Sequence, residues 1–171
     1  MKSKSKTRFV ELPIATHDGQ FIARYSENGL AELDFPKVGR ASPRAVNARK
    51  IPTEILKWHR TTTVALKSIL TGRDAKKLPP LDWSGKTEFQ QSVWRVMRKI
   101  PAGKTKSYGE IAAAIGRPKA VRAVGGACGA NPVPVLVPCH RILAANKKLG
   151  GFSGGLDWKR NLLKREGVLL G

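Results

Sequence analysis

Three prolines within seven residues constrain this chain more than any other feature. The stretch from Asn131 to Leu143 reads Asn-Pro-Val-Pro-Val-Leu-Val-Pro-Cys-His-Arg-Ile-Leu. Proline fixes φ and has no N–H to donate, so the run suits neither a long helix nor the interior of a sheet. It predicts a stiff, extended apolar segment with Cys139 positioned at its end. His140 and Arg141 follow, and each can favour the nucleophilic thiolate, by taking the proton or by placing positive charge nearby. An isolated cysteine in an apolar run is also the pattern of a small core residue, and on the residues alone both readings stay open. In a true strand, Cys139 and His140 would point to opposite faces. Cooperation therefore needs a bend, for which Pro138 is suited, or a bridging water.

The whole chain bounds the partner. At 171 residues and 41% apolar content it can bury a core as one ordinary domain or two small ones. Its 32 Lys and Arg against 12 Asp and Glu give a formal charge of +20, far beyond what solubility asks for. That excess predicts a polyanionic partner, nucleic acid before an anionic membrane surface. No stretch has the apolar length of a membrane span. Residues Met1 to Arg8 carry the charge of a signal peptide's first region without the apolar segment that should follow, and read as a basic arm. Two cysteines, Cys128 and Cys139, exclude a disulfide scaffold and point to a reducing compartment, the cytoplasm. With His17, His59 and His140 they lack the spacing of a zinc site, so neither metal nor cofactor is expected.

Along the chain, Phe9 to Phe35 alternates apolar and polar residues around turn signals at His17-Asp18-Gly19 and Glu27-Asn28-Gly29, predicting a three-stranded antiparallel meander. Pro36 to Lys50 reads as a surface linker. A helix follows, with Thr53 as its cap, Ile55, Trp58, Leu66, Ile69 and Leu70 on its buried side, His59 at its surface and Gly72 at its end. Arg73 to Gly85 reads as an extended connection between halves. Thr87 and Gln90 fit a capping box, opening a helix whose face is Phe89, Val93, Val96, Met97 and Ile100. Ser107 and Glu110 fit a second, for a helix to about Ile115. Pro118 suits the first position of a helix to about Ala130. That order matches a helix-turn-helix and equally a plain helical hairpin; the net charge favours DNA. Gly150 to Gly155 is a glycine-rich loop without P-loop chemistry. Asp157 is placed to cap the last helix, Trp158 to Arg165, with Leu162 and Leu163 inward.

Taken together, Pro138-Cys139-His140-Arg141, the preceding Asn131-Pro132, the Gly150 to Gly155 loop and a helix ending in Glu166-Gly167 resemble the O6-alkylguanine-DNA alkyltransferases. The resemblance is close from about Thr87 to Gly167 and looser before it. It implies an α/β (α+β) fold: a small N-terminal ribonuclease-H-like domain with antiparallel strands over 9–80, then a mostly helical alkyltransferase domain with a helix-turn-helix over 86–171. It implies a suicide repair protein in which Cys139 takes the alkyl group from guanine O6 in DNA and keeps it, with O4-alkylthymine as a further candidate substrate. By carry-over, His140 takes the thiol proton through a water, Glu166 orients His140, and Asn131 is the hinge that bonds near the thiolate. Tyr108 donates to guanine N3. Ser153 and the backbone of Ile142 hold the base, and Phe152 and Pro134 wall the pocket, which Cys128 borders. Phe152 stands where several members have Tyr, and Cys128 where an apolar residue is usual.

The base must be flipped from the duplex, at a cost of a few kcal/mol. Arg122 matches the arginine that fills the vacated place, and the second helix, with Lys119, Ala120, Ala123 and Ala127, matches one that enters the minor groove, with Arg141 as a further DNA contact. The implied partner is double-stranded DNA, bound by a monomer with little sequence preference. Three alternatives remain: a non-catalytic binder of alkylated DNA, which the presence of Cys139 argues against; a cysteine hydrolase built on Cys139, His140 and Glu166, which would turn over; and a transcriptional role through the helix-turn-helix.

Overall fold

The computed structural model describes residues 9–39 and 48–170. The basic arm and the middle of the expected linker, residues 40–47, lie outside the described residues.

Alternation of apolar and polar side chains yields the expected meander: β1 (Val10–Thr16), β2 (Gly19–Ser26) and β3 (Gly29–Asp34), antiparallel in the order β1-β2-β3. Its buried face carries Phe21, Tyr25 and Leu30, and α1 (Thr53–Leu70) packs against it with Ile55, Leu66 and Ile69. Thr53 does not cap that helix. Pro52 occupies the cap position without a side-chain hydrogen bond, and Thr53 is already helical. His59 is not a plain surface residue either: it is half-buried, and its Nδ1 lies 3.0 Å from the Tyr25 hydroxyl, which gives a buried phenol a partner. The connection after α1 is extended as expected and adds a bridge to the sheet edge, where Leu30 N–H donates to Pro80 and Asp82 N–H to Leu30.

Both capping boxes form. Thr87 and Gln90 open α2 (Glu88–Met97), and Ser107 and Glu110 open α3 (Tyr108–Ala114), each with reciprocal side-chain to backbone bonds. The predicted face of α2 omitted Trp94, the largest fully buried side chain among the described residues, whose indole N–H donates to the Ala127 carbonyl at 2.8 Å. Pro118 does not start a helix. Proline fits the second position of a turn as well as the first of a helix, and here Arg117–Ala120 closes as a turn, so α4 runs only over Val121–Gly129. Helices α2, α3 and α4 pack on one another, with Val93, Met97, Ile111 and Val124 fully buried between them.

The largest departure is the proline run. It is not extended: Val137 N–H donates to the Val133 carbonyl, Pro134 bridges Val137, and Val135 sits at φ 73°. A β-branched residue in that region is strained, by about 1–3 kcal/mol. The run ends in a 3-10 turn over Cys139–Arg141, so the expected bend is present, and then in β5 (Ile142–Leu143), which pairs in parallel with β4 (Lys106–Ser107). Last comes α5 (Leu156–Arg165), capped by Gly155 rather than by Asp157, which lies in its first turn and bonds Arg160.

A single apolar cluster runs from Leu12 on β1 to Leu162 on α5. The halves are also tied by polar contacts, Leu33 N–H to the Pro132 carbonyl and Arg165 to Asp18.

Candidate active site

Four elements meet around the Cys139–Arg141 turn: the folded-back proline run, the end of α4, the loop before α5, and the end of α5. The thiol is 5% exposed. Asn131, just past α4, donates through Nδ2 to the Val137 carbonyl at 2.8 Å and to Cys139 Sγ at 3.3 Å, while its Oδ1 accepts from Val133 N–H. One amide thus clamps both the turn and the sulfur. Burial pushes the Cys139 thiol up to about 11, against the opposing pull of the Asn131 bond and the Lys159 charge. At neutral pH the resting thiol keeps its proton and needs a base.

The candidate for that base, His140, is next in sequence and is set by a buried chain of charge. His140 is fully buried, with Nε2 2.8 Å from Glu166 Oε1. Glu166 also accepts from Arg141 Nε and Nη2, and Arg141 Nη1 reaches the Ile100 carbonyl at 2.6 Å and Asp74 at 3.1 Å. Burial raises the Glu166 carboxyl, but the His140 and Arg141 bonds outweigh it and hold the group below its ordinary value. Burial holds the His140 imidazole below its ordinary value too, despite Glu166. A neutral imidazole beside a carboxylate must donate from the nitrogen that faces it. Nε2 therefore carries the proton, and Nδ1, buried and without a partner among the described residues, carries the free lone pair.

Around these groups the expected site residues fall as follows. Tyr108 opens α3 half-buried, its hydroxyl against the Gly150–Gly151 backbone; burial raises its phenol, and the two thiols add to that. Phe152 is half-buried, edge-on to both His140 and Phe35. Asn131, Pro134 and Ser153 line a cleft of about 360 Å³ together with Phe35 and Trp158. Cys139 is not on the cleft wall, but the Asn131 that bonds it is. Cys128 is buried against Met97, with its thiol pushed up to about 12 by burial. The Ile142 carbonyl already accepts from Lys159 Nζ at 2.6 Å, which leaves it one lone pair for any ligand.

Lys119, Arg122 and Ala123 are exposed on and before α4, and Ala120 is half-buried at its cap. Two expected DNA contacts are corrected. Ala127 faces the core at 3% exposure, because α4 must bury one side against α2. Arg141 is 3% exposed and fully engaged with Glu166, so its charge serves the interior and cannot reach a phosphate. Sequence reasoning missed Lys159 and Trp158. The signal for Lys159 was present: it stands three and four residues before the inward Leu162 and Leu163, on the same helix face.

The chain is similar to several known proteins. The profile of the 6-O-methylguanine DNA methyltransferase DNA-binding domain matches residues 88–168. A methylated-DNA–protein-cysteine methyltransferase of Methanosarcina mazei is 42% identical across 82% of this chain and 85% of that protein. The chain belongs to the methylated-DNA–protein-cysteine methyltransferase family. As a member it also resembles the Methanosarcina acetivorans protein, at 58% identity over 47% of this chain and 52% of that one, and the Salmonella typhimurium protein, at 51% identity over 51% of each. In these two matches the chain spans about half the length of its relative. The crystal structure of Mycobacterium tuberculosis OGT in complex with DNA superposes at a TM-score of 0.62, with 35% identity over 90% of each chain. The mixed α/β architecture expected for the family is the one observed.

Proposed function

We propose that this protein repairs DNA by moving the alkyl group of O6-alkylguanine irreversibly onto Cys139, one event per molecule. The observation that carries this is the buried chain Arg141–Glu166–His140, which leaves an unprotonated Nδ1 next in sequence to a clamped, protonated thiol. His140 Nδ1 takes the Sγ proton through a water. The thiolate attacks the alkyl carbon in line, the S–C bond forms as the C–O6 bond breaks, and the released electron pair goes to guanine, which ends protonated at N1. The proton lost by sulfur balances the one gained by the base. A soft nucleophile and a stabilised leaving group are what such a displacement needs. Asn131 stabilises the thiolate, Tyr108 donates to guanine N3, Ser153 and the second lone pair of Ile142 hold the base edge, and Phe152 and Pro134 wall it.

A thioether has no route back to thiol with these groups, which is why the reading is a single transfer rather than hydrolysis. The chemistry moves no redox electrons and asks for no cofactor. The partner is double-stranded DNA, engaged by a monomer through α4 in the minor groove, with Lys119 on phosphate and Arg122 in the place of the flipped base. Two unpaired thiols suit a reducing cytoplasm, and among the described residues no helix is long and apolar enough to cross a membrane.

The test is the intact mass after incubation with excess duplex oligonucleotide containing O6-methylguanine. One methyl group is expected per molecule, saturating there, and none in Cys139→Ala. Lesion binding without any gain in mass would leave a damage-recognition protein instead. Arg122→Ala is expected to slow transfer from duplex about tenfold to a hundredfold, the equivalent of losing part of a flipping energy of a few kcal/mol. Reaction with the isolated alkylated base should be unchanged. Equal loss with both substrates would remove Arg122 from the flipping step.

A further inference from the structure

The chain of charge behind His140 does not end at Arg141. Asp74, just past the end of α1 and so from the N-terminal half, places Oδ1 3.1 Å from Arg141 Nη1. Arg141 turns its Nε and Nη2 to Glu166, and Glu166 Oε1 lies 2.8 Å from His140 Nε2. Asp74 is half-exposed, yet it is not a loose surface partner. Both of its carboxylate oxygens accept from Ala102 N–H, at 2.9 and 3.1 Å, and its own carbonyl accepts from the Ser68 hydroxyl at 3.0 Å. Side chain and backbone are thus fixed independently of Arg141, so little conformational entropy opposes the pairing.

The charged groups around His140 are Glu166 on α5, Arg141 on its own turn and Lys159 on α5, the last tied to three backbone carbonyls. Two cations and one anion leave that surrounding positive, which opposes a proton arriving on Nδ1. Glu166 must also divide its charge between His140 and Arg141. Asp74 brings the second anion from the far side of Arg141, so the set is balanced and the guanidinium is shared between two carboxylates.

We propose that Asp74 is a positioning residue for alkyl transfer: it takes up the outer side of Arg141 and so lets Glu166 stabilise the imidazolium that His140 becomes on accepting the Cys139 proton. The inference rests on the transfer reading above. Asp74 gains and loses no proton in the step, and it acts only through Arg141 and through its field. The N-terminal half, which supplies none of the groups assigned to the base, thereby contributes to the chemistry.

The experiment separates proton transfer from docking of the halves. The first-order rate of methyl transfer at saturating O6-methylguanine duplex is followed by intact mass, from about pH 6 to about pH 10, for the parent, Asp74→Asn and Asp18→Asn. Asn at position 74 keeps the shape and an acceptor for Ala102 N–H but carries no charge, and Arg141 retains Glu166 and the Ile100 carbonyl, so the variant keeps its fold. Asp18→Asn breaks another ion pair between the halves, with Arg165, and leaves every partner of Arg141 in place. Because the Asp74 carboxylate is half in water, the effect is modest: Asp74→Asn is expected to be about threefold to tenfold slower near neutral pH, the equivalent of about half to one pH unit of imidazole basicity. The gap should narrow towards the alkaline end, where hydroxide competes with His140 for a thiol pushed up to about 11. Asp18→Asn should follow the parent throughout.

A rate in Asp74→Asn that overlays the parent overturns the proposal. So does a loss that stays constant to the alkaline end, or an equal loss in Asp18→Asn, since either assigns Asp74 to holding the halves together. The two readings fail separately. A parent protein that takes no methyl group sinks the transfer reading, whereas an unslowed Asp74→Asn in a protein that does take it sinks this inference alone.

Discussion

Glu166→Ala is expected to cost the protein about 3–5 kcal/mol of stability, the effect of removing one partner from a buried ion pair and stranding the other. Arg141 would keep only the Ile100 carbonyl and the half-exposed Asp74. His140 would lose the acceptor that sets its tautomer. Against a total stability of about 5–15 kcal/mol, a drop of that size lowers Tm by roughly 6–20 °C. Methyl transfer should fall as well, because Nδ1 is a free base only while Nε2 donates. A drop in stability under about 1 kcal/mol, the range of an exposed pair, would mean that the chain of charge is solvated and the argument for Nδ1 is wrong.

The same pair predicts how stability depends on pH. His140 is held below its ordinary 6.5 and Glu166 below its ordinary 4.5. For each, the unfolded chain binds a proton at a pH where the folded chain does not, so the stability is present above the unfolded value and is lost as pH falls through the folded one. Tm should therefore decline first below about pH 6.5 and again below about pH 4.5. In Glu166→Ala the second decline should be shallower, since the carboxyl responsible is gone. Equal slopes in the two proteins below that point would assign the acid response elsewhere.

Trp94→Ala is the other large effect, expected at about 3–5 kcal/mol from lost burial and the cavity left behind. Trp94 is fully buried, packs against Trp83 at 5.4 Å between ring centroids, and holds the Ala127 carbonyl. It joins α2 to α4, so the loss extends to the orientation of the helix that carries Arg122. Trp94→Phe separates the two contributions. It keeps most of the apolar area but leaves the carbonyl unpaired, which costs about 1–3 kcal/mol. In that variant, transfer from duplex should suffer more than reaction with the isolated base. Chemical denaturation and the paired rate measurements check both statements, and equal losses with the two substrates would show that Trp94 supports the site generally rather than α4.

Local rules explain which parts of the molecule could be read in advance. Period-two alternation determined the meander, because each strand of an antiparallel sheet buries one face. Reciprocal caps determined where α2 and α3 begin, because both partners lie within three residues of each other. The pattern from Pro138 to Arg141, with the distant Glu166, carried the family resemblance. Where two local solutions cost nearly the same, sequence reasoning chose wrongly: Pro118 serves a turn or a helix start, and Pro52 or Thr53 can precede a helix. Long-range contacts decided the rest. Val135 is forced to positive φ only because the proline run must fold back between Asn131 and Cys139. Arg141 and Lys159 look like two more cations in a chain with 32 of them. Only the tertiary structure gives one a buried carboxylate and the other three carbonyls, because charge in water is cheap and charge in the interior must find a partner.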